Sequence, residues 1–324
     1  MDRRQFLHLL AGASALSAAS GNAWAQAWPT RPVRIIVPFQ PGGSTDIFAR
    51  LAAHKLTEHF GKQFYIENIA GATGNVGTAQ AARAAPDGYT ALIAFSSYVV
   101  NPTLFAKLSF DPDKDLAPVT LAVSATNVIT VHPSVPAGSL KELVALVKAN
   151  PGKYSYASGG VGTQAHLLGE MLRLSLGLDI VHVPFNGAAP AVASAVAGHT
   201  PIAWSTIASA AQALESRQLR PLAVTSKTRS QLLFDVPTTA EAGYPEIQGD
   251  SWVGLLVPAG TPREIIDVLH REIARIIALP DVKERLPALG FEAVGSTPEE
   301  FAARIKVETE IWGKVIRAAN IKPE

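Results

Sequence analysis

The stretch Val33-Arg34-Ile35-Ile36-Val37-Pro38-Phe39-Gln40-Pro41-Gly42-Gly43-Ser44-Thr45-Asp46 decides the fold. Val33 to Phe39 is rich in β-branched residues and reads as a buried strand. Pro41-Gly42-Gly43 is a turn, because glycine accepts backbone angles that other residues resist. From Ser44 the pattern changes. Ile47, Phe48, Leu51, Ala52, Leu56 and Phe60 recur at helical spacing, which predicts a helix with one apolar face. A strand, a glycine turn and a helix start together make an anion site. The first amides of a helix have no internal partner and sit at the positive end of its dipole. No GK[ST] lysine follows, so this is not a Walker phosphate loop. The turn is read as half of a carboxylate grip. The plainer reading of the same residues makes Ser44 an N-cap and Asp46 a complement to the dipole.

Outward from this stretch, strands keep alternating with helices. Strands are expected at Gln63 to Asn68 and Ala91 to Phe95, and a glycine-rich turn over Gly71 to Gly77 leads to a small-residue helix ending near Pro86. Leu116 to Val123 and Val128 to His132 are apolar runs, and the chain is expected to leave its first domain between them. Tyr154 to Ala157 then forms a strand. Ser158-Gly159-Gly160-Val161-Gly162-Thr163 is a second glycine turn that again enters a helix, with Leu167, Leu168, Met171, Leu172 and Leu176 on its apolar side. Ile180 to Phe185 ends at Asn186-Gly187, and Trp252 to Val257 returns towards the first domain. Capping boxes are expected at Ser139, Thr261 and Thr297, each with Glu three residues on. Such alternation implies crossover connections and mainly parallel sheets.

The two glycine turns share a design, and ligands of open α/β sheets bind at the carboxyl ends of strands. One turn in each domain, facing across a cleft, would hold a small anion from both sides. Gly160-Val161-Gly162-Thr163-Gln164-Ala165 also fits a dinucleotide fingerprint, but the required acidic residue should end the next strand and Asp179 instead precedes it. No GxSxG elbow occurs.

Composition narrows the classes. The 324 residues suffice for two domains, and 48% hydrophobic with 17% charged residues describes a folded globular chain. A formal net charge of +1, with no basic cluster, argues against nucleic acid. The absence of cysteine excludes disulfides, thiolate metal sites, a cysteine nucleophile and a lipoprotein anchor. The eight histidines show no metal-ligand spacing. Met1 to Ala25 reads as an export signal: a charged start with Arg3-Arg4, an apolar run over Leu7 to Ala19, and Ala23-Trp24-Ala25 as the cleavage site. The paired arginines fit a twin-arginine signal or an ordinary Sec start, and either route ends in a bacterial periplasm.

Several motifs carry a resemblance along nearly the whole mature chain. They include Trp28-Pro29-Thr30-Arg31-Pro32, Pro41-Gly42-Gly43-Ser44-Thr45-Asp46, Pro86-Asp87-Gly88-Tyr89-Thr90, Ser158-Gly159-Gly160-Val161-Gly162-Thr163 and Pro258-Ala259-Gly260-Thr261-Pro262. In this order they resemble the Bug-type receptors of tripartite tricarboxylate transporters. The resemblance implies a two-lobed, Venus-flytrap α/β binding protein (type II-like), each lobe a mainly parallel sheet flanked by helices. It implies a non-enzymatic monomer, without cofactor or metal, that captures a small carboxylate and delivers it to membrane transporter subunits. Lobe 1 is expected over 26–125 and 248–324, and lobe 2 over 126–247. Ligand contacts are implied at Phe39, Gly42, Gly43, Ser44, Thr45 and Asp46, at Ser96 and Ser97, and at Ser158, Gly159, Gly160, Gly162, Thr163 and His166. Phe185, Asn186 and Ser205 complete the set; His166 is read equally as a packed structural histidine. Asn186 stands where the family often has a basic residue and Ser205 where it often has an aspartate. These departures point away from an amino acid and towards a dicarboxylate or an aromatic carboxylate. An exported hydrolase or isomerase, and a sensor coupled to a membrane kinase, are the alternative readings.

Overall fold

The computed structural model describes residues 28–318 and 320–323. The export segment expected over 1–25 lies outside the described residues. Strand β1 (Val33–Val37) is apolar on both faces because both are covered: Val33, Ile35 and Val37 join one core cluster and Ile36 another. Helix α1 (Ser44–Phe60) lays Phe48, Ala52 and Leu56 on the first of these layers, and Gly61 ends it in the left-handed conformation.

The remaining elements follow as β2 (Phe64–Asn68), α2 (Asn75–Ala82), β3 (Thr90–Phe95), α3 (Asn101–Leu104), β4 (Leu116–Ala125), β5 (Asn127–Val131), α4 (Leu140–Ala149), β6 (Ser155–Ser158) and α5 (Gln164–Leu176). Then come β7 (Val181–Pro184), α6 (Ala188–Val196), β8 (Ile202–Thr206), α7 (Ile207–Glu215), β9 (Arg220–Val224), β10 (Ser251–Pro258), α8 (Arg263–Ala278), α9 (Pro280–Ala288), β11 (Phe291–Ala293) and α10 (Pro298–Ala318).

These form two lobes, one on a six-stranded sheet of order β11-β4-β10-β3-β1-β2, the other on a five-stranded sheet of order β7-β6-β8-β5-β9. The two-lobed α/β fold agrees with the sequence reading, with a refinement. In the first sheet β1, β2, β3 and β4 run one way while β10 and β11 run the other. In the second, β5 alone opposes its neighbours. Most strands therefore share a direction, yet many hydrogen-bonded pairs are antiparallel. The cause is the path between lobes. β4 ends at the cleft and β5 begins there, with only Thr126 between them, so β5 must run away from the cleft while its neighbours run towards it. β10 enters the first sheet from the cleft in the same way.

Side chains hold the crossing together. Asn127 donates from Nδ2 to Gly249 O at 3.2 Å and accepts at Oδ1 from Ser251 Oγ at 3.1 Å, while Thr225 Oγ1 donates to Gly249 O at 2.7 Å. Both passages of the chain are thus tied at one point beneath the cleft.

Two of the three expected caps form. Ser139 Oγ accepts from Glu142 N, and Thr297 exchanges reciprocal bonds with Glu300. The third does not: Thr261 Oγ1 donates to Pro258 O at 2.7 Å, and α8 starts at Arg263 without a side-chain cap. The helix expected to end near Pro86 stops at Ala82, where Arg83 takes the C-cap position. Helix α9 and the short strand β11 had no expectation. α9 carries Pro287 inside it and buries only Val282 and Leu286, so its apolar pattern is sparse.

Candidate functional site

Four helices begin at the cleft. Gly43, Ser44 and Thr45 from α1, Thr163 and Ala165 from α5, Ala188 from α6, and Ser205 and Thr206 before α7 line a cavity of about 30 Å³. Phe39, Phe95 and Trp204 supply its rings, and Asn127 and Ser251 its floor at the crossing. A second cavity of about 390 Å³ continues from it, sharing Phe39 and Gly159 and reaching Thr73, Phe105, Phe185 and Asn186. No charged side chain lines either cavity among the described residues. The helix starts turn backbone amides, the positive ends of their dipoles, towards the cleft.

The helix starts are not equivalent. In α1 the first helical bond runs from Ile47 N to Gly43 O, and no side chain caps the amides of Ser44, Thr45 and Asp46. α6, starting after Gly187, also lacks a side-chain cap. α5 and α7 are closed by their own threonines: Thr163 Oγ1 accepts from His166 N and Thr206 Oγ1 from Ser209 N, each at 3.3 Å. The two uncapped ends come from different lobes and approach closely. Gly42 has φ 88°, and a Cβ there would stand 3.2 Å from Ala189 Cβ; Gly187 has φ 128°, and a Cβ there would meet Gln40 at 3.5 Å. Glycine serves at both places for its backbone angle as well as its size. Opposed uncapped helix starts around an uncharged pocket can hold one anion by charge-assisted hydrogen bonds from both sides.

The expected site residues separate into groups. Phe39, Gly43, Ser44, Thr45, Gly159, Thr163 and Ser205 line the smaller cavity, and Gly160, Phe185 and Asn186 the larger. Ser205 is 1% exposed, and its Oγ has no hydrogen-bond partner among the described residues. That is costly for a buried hydroxyl unless a ligand supplies the partner.

Gly42, Asp46, Ser96, Ser97, Ser158, Gly162 and His166 are absent from both linings. Asp46 is buried and accepts from Gly42 N at 3.0 Å, Arg50 Nε at 2.9 Å and Asn68 Nδ2 at 3.0 Å. Burial alone would raise its pKa, but these hydrogen bonds outweigh burial and hold the carboxyl below its usual range. It pins the turn rather than facing the cavity.

Ser158 bonds His182 Nε2 at 2.7 Å and accepts from Gly160 N, while Gly162 N donates to His166 Nδ1 at 3.0 Å. His166 stacks on His182 with centroids 4.0 Å apart. Burial holds the His166 imidazole down to about 4, so it stays neutral as an acceptor. Of its two readings, the packed structural histidine fits this arrangement. The Ser158 to Thr163 turn therefore uses much of its donor capacity internally, and the row that opposes α1 is the start of α6.

Ser97 Oγ donates to Thr73 O at 3.3 Å, and Asn101 Nδ2 donates to the same oxygen at 3.1 Å. Together they support Thr73 at φ 52°, an uncommon angle for a β-branched residue. Its Oγ1 reaches across the cleft to donate to Val161 O at 2.7 Å. Sequence reading missed Thr73, Phe95, Trp204 and Thr206. Thr206 could have been found from its place at a strand's carboxyl end before a helix. Thr73 could not, since its role depends on the other lobe.

The fold and cleft define a two-lobed solute-binding protein. The chain belongs to the tripartite tricarboxylate transporter receptor family, whose sequence model matches residues 48–321. It is 36% identical over 300 residues to the protein BugT of Bordetella pertussis, covering 92% of each chain. Among solved structures, a periplasmic transporter matches with TM-score 0.89 and 41% identity over 91% of this chain and 99% of that one. R. palustris Rpa4515, solved with adipate, matches with TM-score 0.89 and 32% identity over 92% of this chain and 100% of that one. These are receptors rather than enzymes.

Proposed function

We propose that this protein is an exported receptor that captures a small carboxylate between its lobes and hands it to the membrane subunits of a tripartite tricarboxylate-type transporter. The observation that carries this reading is the meeting of two uncapped helix starts, α1 and α6, on a cavity without charged side chains. The adipate-bound relative supports a carboxylate as the anion. Lobe 1 is 26–125 with 248–324, lobe 2 is 126–247, and they close about the Asn127–Gly249–Ser251 tie as a monomer. Closure is favoured because only the closed form presents both rows of amides to one ligand. Residues 1–25 direct export to the periplasm by the Sec or twin-arginine route and are removed after Ala25.

A thermal-shift panel of carboxylates, each paired with its neutral amide, tests the reading. A ligand at about 100 times its Kd adds about 2.7 kcal/mol to the folded state. At least one acid should raise Tm accordingly and its amide should not. Equal shifts for acid and amide, or none for any acid, would reject the carboxylate assignment.

A further inference from the structure

We infer that the ligand is a monoanionic aromatic carboxylate carrying a neutral polar group at its far end, and that Ser205 and Asn186 set this preference. The inference rests on the carboxylate reading above and narrows it. Charge sets the first limit. One carboxylate is matched by the uncapped ends of α1 and α6. A second, carried into the larger cavity, would find no cationic side chain there among the described residues. A charge taken from water without a matched partner opposes binding.

Several donors of the larger cavity are committed as well. Thr73 Oγ1 donates to Val161 O, Gly160 N to Ser158 Oγ, and Gly74 N to Gly71 O. The Asn186 side-chain amide is exposed and has no hydrogen-bond partner among the described residues. A primary amide both donates and accepts, which suits a hydroxyl or carbonyl better than a second carboxylate.

Shape sets the second limit. Phe39 and Phe95 meet edge to face with centroids 5.7 Å apart, and Trp204 lines the same cavity. Phe39 is shared with the larger cavity, where Phe105 and Phe185 continue the aromatic surface. Such walls favour a flat ring over a flexible chain, which would lose rotamer freedom on binding. Ser205 is the third point. Its buried, unpartnered Oγ can donate to the ligand carboxylate, whereas an aspartate in its place would repel it.

Calorimetry on the mature protein with benzoate, 4-hydroxybenzoate, terephthalate, adipate and benzamide tests this. 4-Hydroxybenzoate should bind at least about tenfold more tightly than adipate or terephthalate, and benzamide should fail to compete. Adipate or terephthalate binding as tightly as the hydroxybenzoate would overturn the aromatic monoanion while leaving the carboxylate reading intact. Benzamide binding as well as benzoate, or no acid binding at all, would overturn both. Asn186→Lys, at an exposed position, should reverse the order of terephthalate and 4-hydroxybenzoate. Ser205→Ala should cost the benzoates about tenfold with the circular dichroism unchanged. An unchanged ligand order in N186K, or unchanged affinity in S205A, would remove that residue from the assignment.

Discussion

The turns at Pro41 to Asp46 and Ser158 to Thr163 look alike in sequence and behave differently in the fold. Both leave a strand through glycines and open a helix. In the first, the buried carboxylate of Asp46 takes the amide of Gly42, and the helix amides beyond it remain open to the cavity. In the second, Ser158 and His166 accept from the turn's own amides, and Thr163 accepts from an amide in the first turn of the helix. The difference shows that a glycine turn before a helix provides a place for an anion. Whether its donors are available depends on the side chains packed around it.

The largest test of that contrast is Gly43→Asp. Gly43 is the N-cap of α1, has extended backbone angles, and an added Cβ would have nothing nearer than 3.9 Å. The new carboxylate should cap the free amides and repel the ligand, lowering affinity by about 100-fold while the fold remains intact. Calorimetry and a melting curve on one preparation check it, and retained affinity would mean that α1 does not hold the anion.

The second test uses pH to separate stability from binding. His166 and His182 are held down to about 4 and about 2, chiefly by burial, from an ordinary value of 6.5. Their stabilising contribution is complete above that value and is lost as pH falls below it, because the unfolded chain then takes up protons that the fold refuses. Asp250 works in the opposite sense. Burial, followed by the Glu292 charge, raises it to about 6, so its protonation favours the fold between about 6 and its ordinary 3.8. The two histidines outweigh it, and stability should fall by about 2 kcal/mol between pH 7 and pH 5. Affinity for a carboxylate should stay constant over the same range, since no titratable side chain lines the cavities among the described residues. A parallel fall in affinity would place a titrating group at the ligand.

Ser158→Ala should mirror Gly43→Asp. Loss of the His182 and Gly160 bonds should lower stability by about 1–3 kcal/mol, with ligand affinity within about twofold of the parent. A variant that keeps its Tm but loses affinity would make the second turn a direct contact.

The smallest expected effect is that of Thr73→Val. It removes the bond to Val161 O across the cleft while keeping the side chain's shape. Affinity should fall about fivefold through faster dissociation, without a change in ligand order. An unchanged dissociation rate in stopped-flow release would show that this bond does not help to hold the lobes together.

The two-lobed character came with the family resemblance; sequence alone determined the α/β alternation and the position of both glycine turns. Those features rest on local chemistry: apolar strands covered on both faces, helical spacing, and glycine where the backbone must turn. It also marked Gly43, Ser44, Thr45 and Ser205, which do line the cavity. It could not rank the turns. The amides of Gly160, Gly162 and Gly42 are taken by Ser158, His166 and Asp46 in that order, and no spacing rule says which donors remain unpaired. Tertiary structure alone decided that α6 opposes α1, that Asp46 and His166 turn inward, and that Thr73 bridges the lobes. The physical reason is that availability is a property of a whole neighbourhood. An amide binds a ligand only if no acceptor of the protein lies nearer, and the local acceptors are aimed by distant parts of the chain, Asp46 by Asn68 and His166 by His182.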